Sequence, residues 1–167
     1  MRHLTLLILT CFAGSLYSCT ELDEPRIALY GTWENRKYVD SLEVWFVNTY
    51  KFRNDSLFDV TSTVRETEIG NDLGYRLIST AWYNFDGDIF QYYYDDGLFH
   101  FGSRDDDPLY VPKKDLKPGV IDFAGKPKGK LTFSDDFRQF TFQEGCMVVN
   151  TTNDCREFPS RTFVRVD

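Results

Sequence analysis

The chain has 167 residues, of which 42% are hydrophobic and 17% aromatic, and its formal net charge at pH 7 is −7. This length suits one domain with a substantial core, and the acidic charge argues against nucleic acid as a partner. With two histidines and four cysteines, the composition offers little material for metal or nucleophilic chemistry.

The first 18 residues have the layout of a secretory signal. Arg2 and His3 form a weakly charged start, residues 4–13 are an apolar core, and residues 14–18 are a small-residue approach to a cleavage point. The apolar stretch is too short to cross a bilayer as a helix. We therefore expect residues 1–18 to be a signal peptide.

The residues Leu16-Tyr17-Ser18-Cys19 resemble the lipobox of bacterial lipoproteins, in which a leucine lies three places before the cysteine and a small residue directly precedes it. By that resemblance, Cys19 becomes the mature N-terminus and carries acyl chains that anchor the protein to a membrane. The alternative is an ordinary signal peptide cut at or near Ser18, which leaves Cys19 as an unpaired thiol.

Residues 19–29 form an acidic tether that is not expected to fold. Acidic residues soon after the lipidated cysteine resemble the surface-export signal of lipoproteins in the Bacteroidota. The resemblance implies a protein of the cell envelope, lipid-anchored to the outer membrane on its periplasmic or its external face.

Cysteine usage predicts one disulfide. Cys11 leaves with the signal peptide and Cys19 takes the lipid, so Cys146 and Cys155 remain as a pair in a compartment that permits disulfides. The alternative, a metal site, needs further Cys or His ligands, and the mature chain keeps only His100.

Residues 30–167 alternate between apolar and polar side chains and contain no convincing helical run, which predicts an all-β domain. Asn54-Asp55-Ser56 and Asp86-Gly87-Asp88 have the composition of hairpin turns. The residue pattern predicts roughly nine or ten short strands. The first opens at residues 31–33, and the others lie at 44–52, 57–68, 75–85, 89–94, 98–101, 130–133, 137–142, 146–149 and 162–166. Residues 109–111 are a further candidate strand, with a turn at 95–97 and a helical turn near 113–116.

An antiparallel meander of this kind either closes on itself or leaves two exposed edges. Closure into a barrel of about eight to ten strands is the simpler solution. A two-sheet β-sandwich is the alternative, because alternation alone does not distinguish the two architectures.

Gly31-Thr32-Trp33 opens the first strand, and Arg165 lies in the last, within Phe163-Val164-Arg165-Val166. Together with the hairpin at residues 50–58, these residues resemble the small lipocalin-like lipoproteins of the Bacteroidota. The resemblance implies that Trp33 packs across the barrel floor and that an arginine, Arg165 or its competitor Arg161, lies over the indole. The alternative is that Trp33 is simply a core aromatic.

The residues do not predict catalytic activity. A nucleophile and base arrangement would have to use His100, whose neighbours Phe99 and Phe101 indicate a strand position. The paired carboxylates lie at predicted turns, where Asp is favoured for backbone reasons, and Asp105-Asp106-Asp107 lacks the spacing of an EF-hand loop. We predict no enzyme activity, no metal and no cofactor.

The sequence leaves two functional hypotheses. One is a binding module that holds a small apolar or amphipathic ligand, although the aromatic residues at 82–83 and 92–94 are better explained as core. The other is a structural or accessory lipoprotein that docks an envelope protein through an apolar patch at Trp45 and Val47. No ligand-binding residue is identified.

Two further motifs were considered. The motifs Asp40-Ser41-Leu42 and Asp55-Ser56-Leu57 resemble O-glycosylation acceptors of the Bacteroidota. The basic loop of Lys126, Lys128 and Lys130 is expected to be solvated.

Overall fold

The structure, a computed structural model, describes residues 28–100, 102, 107–120, 126–145, 147–148, 155–156 and 158–167. No helix in these ranges is long and apolar enough to cross a membrane. The described strands are β1 (Gly31–Val39), β2 (Val44–Phe52), β3 (Leu57–Arg65), β4 (Asp72–Asp86), β5 (Ile89–Phe99), β6 (Lys117–Gly119), β7 (Lys128–Phe133), β8 (Gln139–Glu144), β9 (Met147–Val148), β10 (Cys155–Arg156) and β11 (Arg161–Arg165). Short 3-10 turns occupy Asp40–Leu42 and Lys113–Asp115.

Eight of the strands close into an antiparallel barrel in the order β4-β3-β2-β1-β11-β8-β7-β5, and β5 returns to β4. The extra strand β6 pairs with the end of β5, and β9 pairs with β10 in a separate hairpin. The predicted all-β barrel is therefore confirmed over the two-sheet alternative. Because the ring closes, the eight wall strands have no unpaired long edge.

Turn chemistry explains the hairpins. The Asn54 side-chain oxygen accepts hydrogen bonds from the backbone N–H groups of Ser56 (3.0 Å) and Leu57 (2.9 Å), which fixes the turn between β2 and β3. Gly87, between β4 and β5, has a φ of 61°, a left-handed conformation that glycine adopts without strain. Both turns lie where the sequence predicted them.

The predicted turn at 95–97 is wrong. β5 runs through this segment to Phe99, with a register shift opposite Ser79 and Ala81. A Cβ on Gly97 would lie 2.9 Å from the Ile78 carbonyl oxygen, so glycine permits the close approach of the two strands at this bulge. The strand predicted at 146–149 is present at Met147–Val148 as β9, which pairs with β10 apart from the barrel, and Cys146 and Val149 lie outside the described residues.

Aromatic side chains fill the part of the barrel interior that lies towards Trp33. Alternate residues of each strand face inward, and this inner set is almost free of solvent: Trp33, Tyr50, Phe52, Phe58, Val60, Ala81, Tyr83, Phe85, Phe90, Tyr92, Leu131, Phe140, Phe142 and Phe163 are at most 6% exposed. Ring contacts such as the Phe52–Phe58 stack at 5.0 Å join neighbouring strands.

One end of the barrel is closed, and we call it the floor. Leu29, fully buried, accepts a 2.8 Å hydrogen bond from the Trp33 indole N–H through its backbone oxygen. The Thr32 backbone N–H donates to the Asp167 carboxylate at 2.7 Å, so both ends of the domain meet here. The opposite end, where β1 joins β2 and β3 joins β4, is called the mouth.

Candidate functional site

Trp33 and Arg165 meet at the floor. They are paired directly across β1 and β11, and the Arg165 guanidinium carbon lies 5.2 Å from the centre of the indole ring. The guanidinium also donates hydrogen bonds to the backbone oxygen of Tyr30 and, at 3.2 Å, to Asp167. Trp33 itself is fully buried against Phe140, with ring centres 4.8 Å apart. The contact links the first strand to the last.

Arg161, the other arginine considered for this role, lies elsewhere in the barrel. It shares the inward face of β11 with Phe163, and its Nη2 donates to Glu144 Oε2 at 3.0 Å and to the Tyr92 hydroxyl at 3.2 Å. Its guanidinium carbon lies 5.2 Å from the centre of the Phe142 ring. Since β11 runs from the mouth to the floor, Arg161 is on the mouth side of the aromatic core.

Tyr50, Tyr92 and Tyr94 surround this arginine. Together with Arg161 and Glu144 they form what we call the polar layer. Burial raises the pKa of all three tyrosines well above the ordinary value, and their electrostatic interactions with one another add to the effect. Burial opposes the charge of Arg161, but Tyr50, Tyr92 and Glu144 outweigh it and raise the pKa of Arg161. The tyrosines are therefore neutral and the arginine charged at neutral pH.

One side of Arg161 has no hydrogen-bond partner among the described residues. Its hydrogen bonds to described residues use Nη2 alone, which leaves Nε and Nη1 without partners in the described part of the chain. The side chain is 31% exposed, so solvent reaches it. Among the described residues, the polar layer thus leaves two N–H groups of Arg161 unpaired on a side chain that solvent reaches.

A second inward arginine lies across the barrel. Arg76 of β4 places its guanidinium carbon 4.8 Å from the centre of the Phe46 ring, and Phe46 shares the inward face of β2 with Tyr50. The Arg76 Nε is buried and has no hydrogen-bond partner among the described residues. In the ring of eight strands, β4 and β11 stand opposite each other.

Two cavities lined by described residues lie on the outer surface. The larger, of ≈570 Å³, runs over β3, β4 and β5 and is bounded by Arg53, Asp59, Thr80 and Lys113. The smaller, of ≈270 Å³, lies over β7 and β8. The larger groove contains the Arg53–Asp59 ion pair at 2.5 Å and is open to solvent.

The predicted apolar patch at Trp45 and Val47 is wrong for Val47. Val47 is fully buried, opposite Arg36 of β1 on one side and Thr63 of β3 on the other. Trp45 is half-buried, with its ring 5.3 Å from that of Tyr38.

Alternation divides the tyrosine triplet at 92–94. Tyr92 and Tyr94 face the interior, whereas Tyr93 faces outward, 42% exposed and directly paired with the exposed Trp82. Lys126, expected to be solvated, places its ammonium nitrogen 4.6 Å from the centre of the Tyr93 ring. The tyrosine triplet therefore contributes both to the core and to an outer aromatic surface.

Several predicted residues lie outside the described residues: Cys19 with residues 1–27, Asp105, Asp106 and Cys146. The backbone of Cys155 pairs with Val148, but its side chain is not described, so the disulfide stays a prediction. His100 contacts the backbone oxygen of Pro108 through its Nε2. The described part of the chain contains no cluster of His, Cys, Asp and Glu that could hold a metal ion.

The two serines of the acceptor-like motifs differ in accessibility. Ser41 is exposed in a 3-10 turn, whereas Ser56 is half-buried and its hydroxyl donates to Asn54 at 3.2 Å. Whether either serine is glycosylated stays untested.

Sequence reasoning missed the polar layer and Arg76. The signal that was available is alternation, because Arg161 shares the parity of Phe163, and Glu144 that of Phe140 and Phe142. The parity of Arg161 and Glu144 therefore predicts that both side chains face inward.

The closed ring of eight antiparallel strands defines a lipocalin-like β-barrel. Comparisons with family models, curated proteins and solved structures find no match to this chain. The functional argument therefore rests on the barrel and its polar layer.

Proposed function

We propose that this protein is a lipid-anchored binding protein of the cell envelope whose barrel holds one small amphipathic ligand at its mouth. The observation that supports this function is the polar layer, which places an accessible arginine above a closed aromatic floor. Such a mixture of apolar walls and a few convergent polar groups is typical of small-molecule sites.

Packing determines the route and the size of the ligand. The floor is sealed by Leu29 and Trp33, and aromatic rings fill the space above it. A ligand therefore enters from the mouth and penetrates only as far as the polar layer, where Tyr94 and Phe46 offer aromatic surface. We therefore expect the ligand to carry a short apolar chain or a small ring.

Extraction of small molecules from the protein purified from membranes, followed by mass spectrometry, tests the binding function. Ser62 faces inward near the mouth, next to Asn48 and Leu77 in register, whereas Thr61 faces outward. Ser62→Phe is expected to abolish the co-purifying ligand, and the matched control Thr61→Phe to retain it. Equal ligand content in both variants, or none in the unmodified protein, would contradict the proposal.

Anchoring at Cys19 is supported by the lipobox-like residues Leu16-Tyr17-Ser18-Cys19. Cys19→Ser is expected to abolish incorporation of labelled palmitate and to release the protein from the membrane fraction. Cys11→Ser, within the signal, serves as the control and should leave labelling unchanged. Unaltered labelling of the Cys19→Ser variant would show that the anchor is elsewhere.

A second candidate function is docking of an envelope protein through the outer surface. The exposed pair of Trp82 (39%) and Tyr93 (42%) favours it, since adjacent exposed aromatics are enriched in interfaces. Trp82→Ala is expected to reduce recovery of a protein partner in cross-linking experiments if this function holds. The same substitution leaves the mouth unaltered and so separates the two functions.

A further inference from the structure

Building on the proposed function, we infer that the ligand carries an anionic head group, a carboxylate or a similar oxyanion, and that the open side of Arg161 receives it. Arg76, on the opposite wall, provides a second cation. The inference concerns the chemical class of the ligand, which the fold alone does not define.

Arg161 is held in place before any ligand arrives. Glu144 and the Tyr92 hydroxyl fix its Nη2 at 3.0 and 3.2 Å, and its guanidinium lies against the Phe142 ring. A planar guanidinium fixed from one side loses little further freedom when an anion binds to its other side. Nε and Nη1 therefore serve as preorganised donors for an oxyanion.

Glu144 does not abolish this attraction. On the inward face of the described strands, three cations, Lys37, Arg76 and Arg161, share the mouth end with one carboxylate, Glu144. The described loops that rim the mouth carry the exposed carboxylates Asp40, Glu43, Glu66 and Glu68, so the excess of positive charge is confined to the interior. A basic interior favours an anion over a cation at that place.

Arg76 independently indicates that a hydrogen-bond acceptor binds inside the barrel. Its Nε is buried without a hydrogen-bond partner among the described residues, and an unpaired buried donor costs free energy. An oxyanion near this donor, on the inward side of Phe46, removes the cost. Unused donors on two inward arginines therefore favour an anionic ligand over an uncharged one.

The tyrosines line the layer without adding charge. Burial raises the pKa of Tyr50, Tyr92 and Tyr94, so they stay neutral at physiological pH, and their side chains hydrogen-bond to one another. No tyrosinate therefore competes with an oxyanion for Arg161.

Calorimetric titration of the full chain carrying Cys19→Ser with octanoate and with octan-1-ol tests the inference. The two probes share an apolar chain and differ in the charge of the head group. Octanoate is expected to bind more tightly by roughly tenfold or more, since a hydrogen bond to a charged group contributes that much. Arg161→Gln is expected to remove most of this preference.

Glu144→Gln provides the matched variant with the opposite expected sign. It removes the competing carboxylate and is expected to strengthen octanoate binding several-fold while leaving octan-1-ol unchanged. This variant keeps the test decisive if Arg161→Gln does not fold. Arg161→Lys keeps the positive charge and is therefore expected to retain part of the preference for octanoate over octan-1-ol.

The outcomes separate the two proposals. Equal affinity for both probes, or a preference that Arg161→Gln leaves undiminished, would overturn the anionic head group and leave the binding function standing. Weaker octanoate binding by Glu144→Gln would also overturn it. Failure of both probes to bind the unmodified barrel would contradict the binding function itself.

Discussion

Arg165 lies over Trp33, with its guanidinium carbon 5.2 Å from the indole centre, and the two residues are directly opposite in the register of β11 and β1. This pair closes the barrel, because it joins the last strand of the chain to the first. Every other pairing in the ring joins two barrel strands that follow one another along the chain, once the short strands β6, β9 and β10 are set aside. The floor is thus the place where stability of the ring depends on a long-range contact.

Replacing Arg165 by Gln is expected to lower the free energy of unfolding by about 1 to 2 kcal/mol. The change removes a cation–π contact and a hydrogen bond to the Tyr30 backbone. In a Trp33→Phe background the cost should be smaller, since part of the contact is already lost. Urea denaturation of the four proteins measures this coupling, and strictly additive costs would contradict it.

An ion network on the outer face makes the free energy of unfolding depend on pH in the acidic range. Glu34, with its side chain 9% exposed, contacts Arg65 at 2.8 Å and Arg36 at 2.7 Å. Burial acts to raise the pKa of Glu34, but the hydrogen bonds and charges of Arg65 and Arg36 outweigh it and lower the pKa. The folded pKa therefore lies below the unfolded value of about 4.3, and this contribution is lost as pH falls through the folded value.

Glu34→Gln is expected to cost about 3 kcal/mol at pH 7, because it leaves buried arginines without their carboxylate. It should also flatten the loss of stability below about pH 4. The control Glu68→Gln removes a half-exposed carboxylate 3.6 Å from Arg36 and should cost less than about 1 kcal/mol. Similar effects of both substitutions would contradict the assigned roles.

The inward tyrosines predict a delayed alkaline titration. Burial raises the pKa of Tyr50, Tyr92 and Tyr94, so they stay neutral where a free tyrosine ionises, at about pH 10. Their stabilisation is complete below the unfolded pKa and is lost as pH rises above it. Absorbance at 295 nm should show a late phase that coincides with unfolding and shrinks in Tyr50→Phe. A single early phase would contradict this.

Oxidation of Cys146 and Cys155 is expected in the protein made in an envelope compartment. Intact mass with and without reductant, after thiol alkylation, measures it. Closing so short a loop contributes about 2.5 to 3 kcal/mol in the chain-entropy model, so Cys146→Ser should lower the free energy of unfolding by up to that amount. Both thiols reacting without reductant would refute the disulfide.

Alternation predicted much of the barrel because the inner and outer faces differ in polarity along each strand. Trp33, Tyr50 and Val60 are cross-strand neighbours whose apolar character is visible in the sequence. Asp95-Asp96-Gly97 misled the prediction, since a bulge and a turn have the same composition and only the partner strand distinguishes them.

The polar layer was harder to predict for a different reason. Arg161, Glu144 and Tyr92 belong to three strands, and their meeting depends on how the ring closes. Val47 illustrates the same limit on the outer face, where it is fully buried between its neighbours Arg36 of β1 and Thr63 of β3. A single sequence reports which face a residue occupies, but it does not report what lies across the barrel.

The most direct test of the binding function locates the ligand in the barrel. Titration of the ¹⁵N-labelled Cys19→Ser chain with octanoate should shift backbone amide signals at the mouth, at Asn48, Ser62, Tyr94 and Arg161. Signals of the outer groove, at Asp59, Thr80 and Lys113, should stay in place. Shifts confined to the outer groove, or none at saturating octanoate, would contradict a ligand site at the mouth.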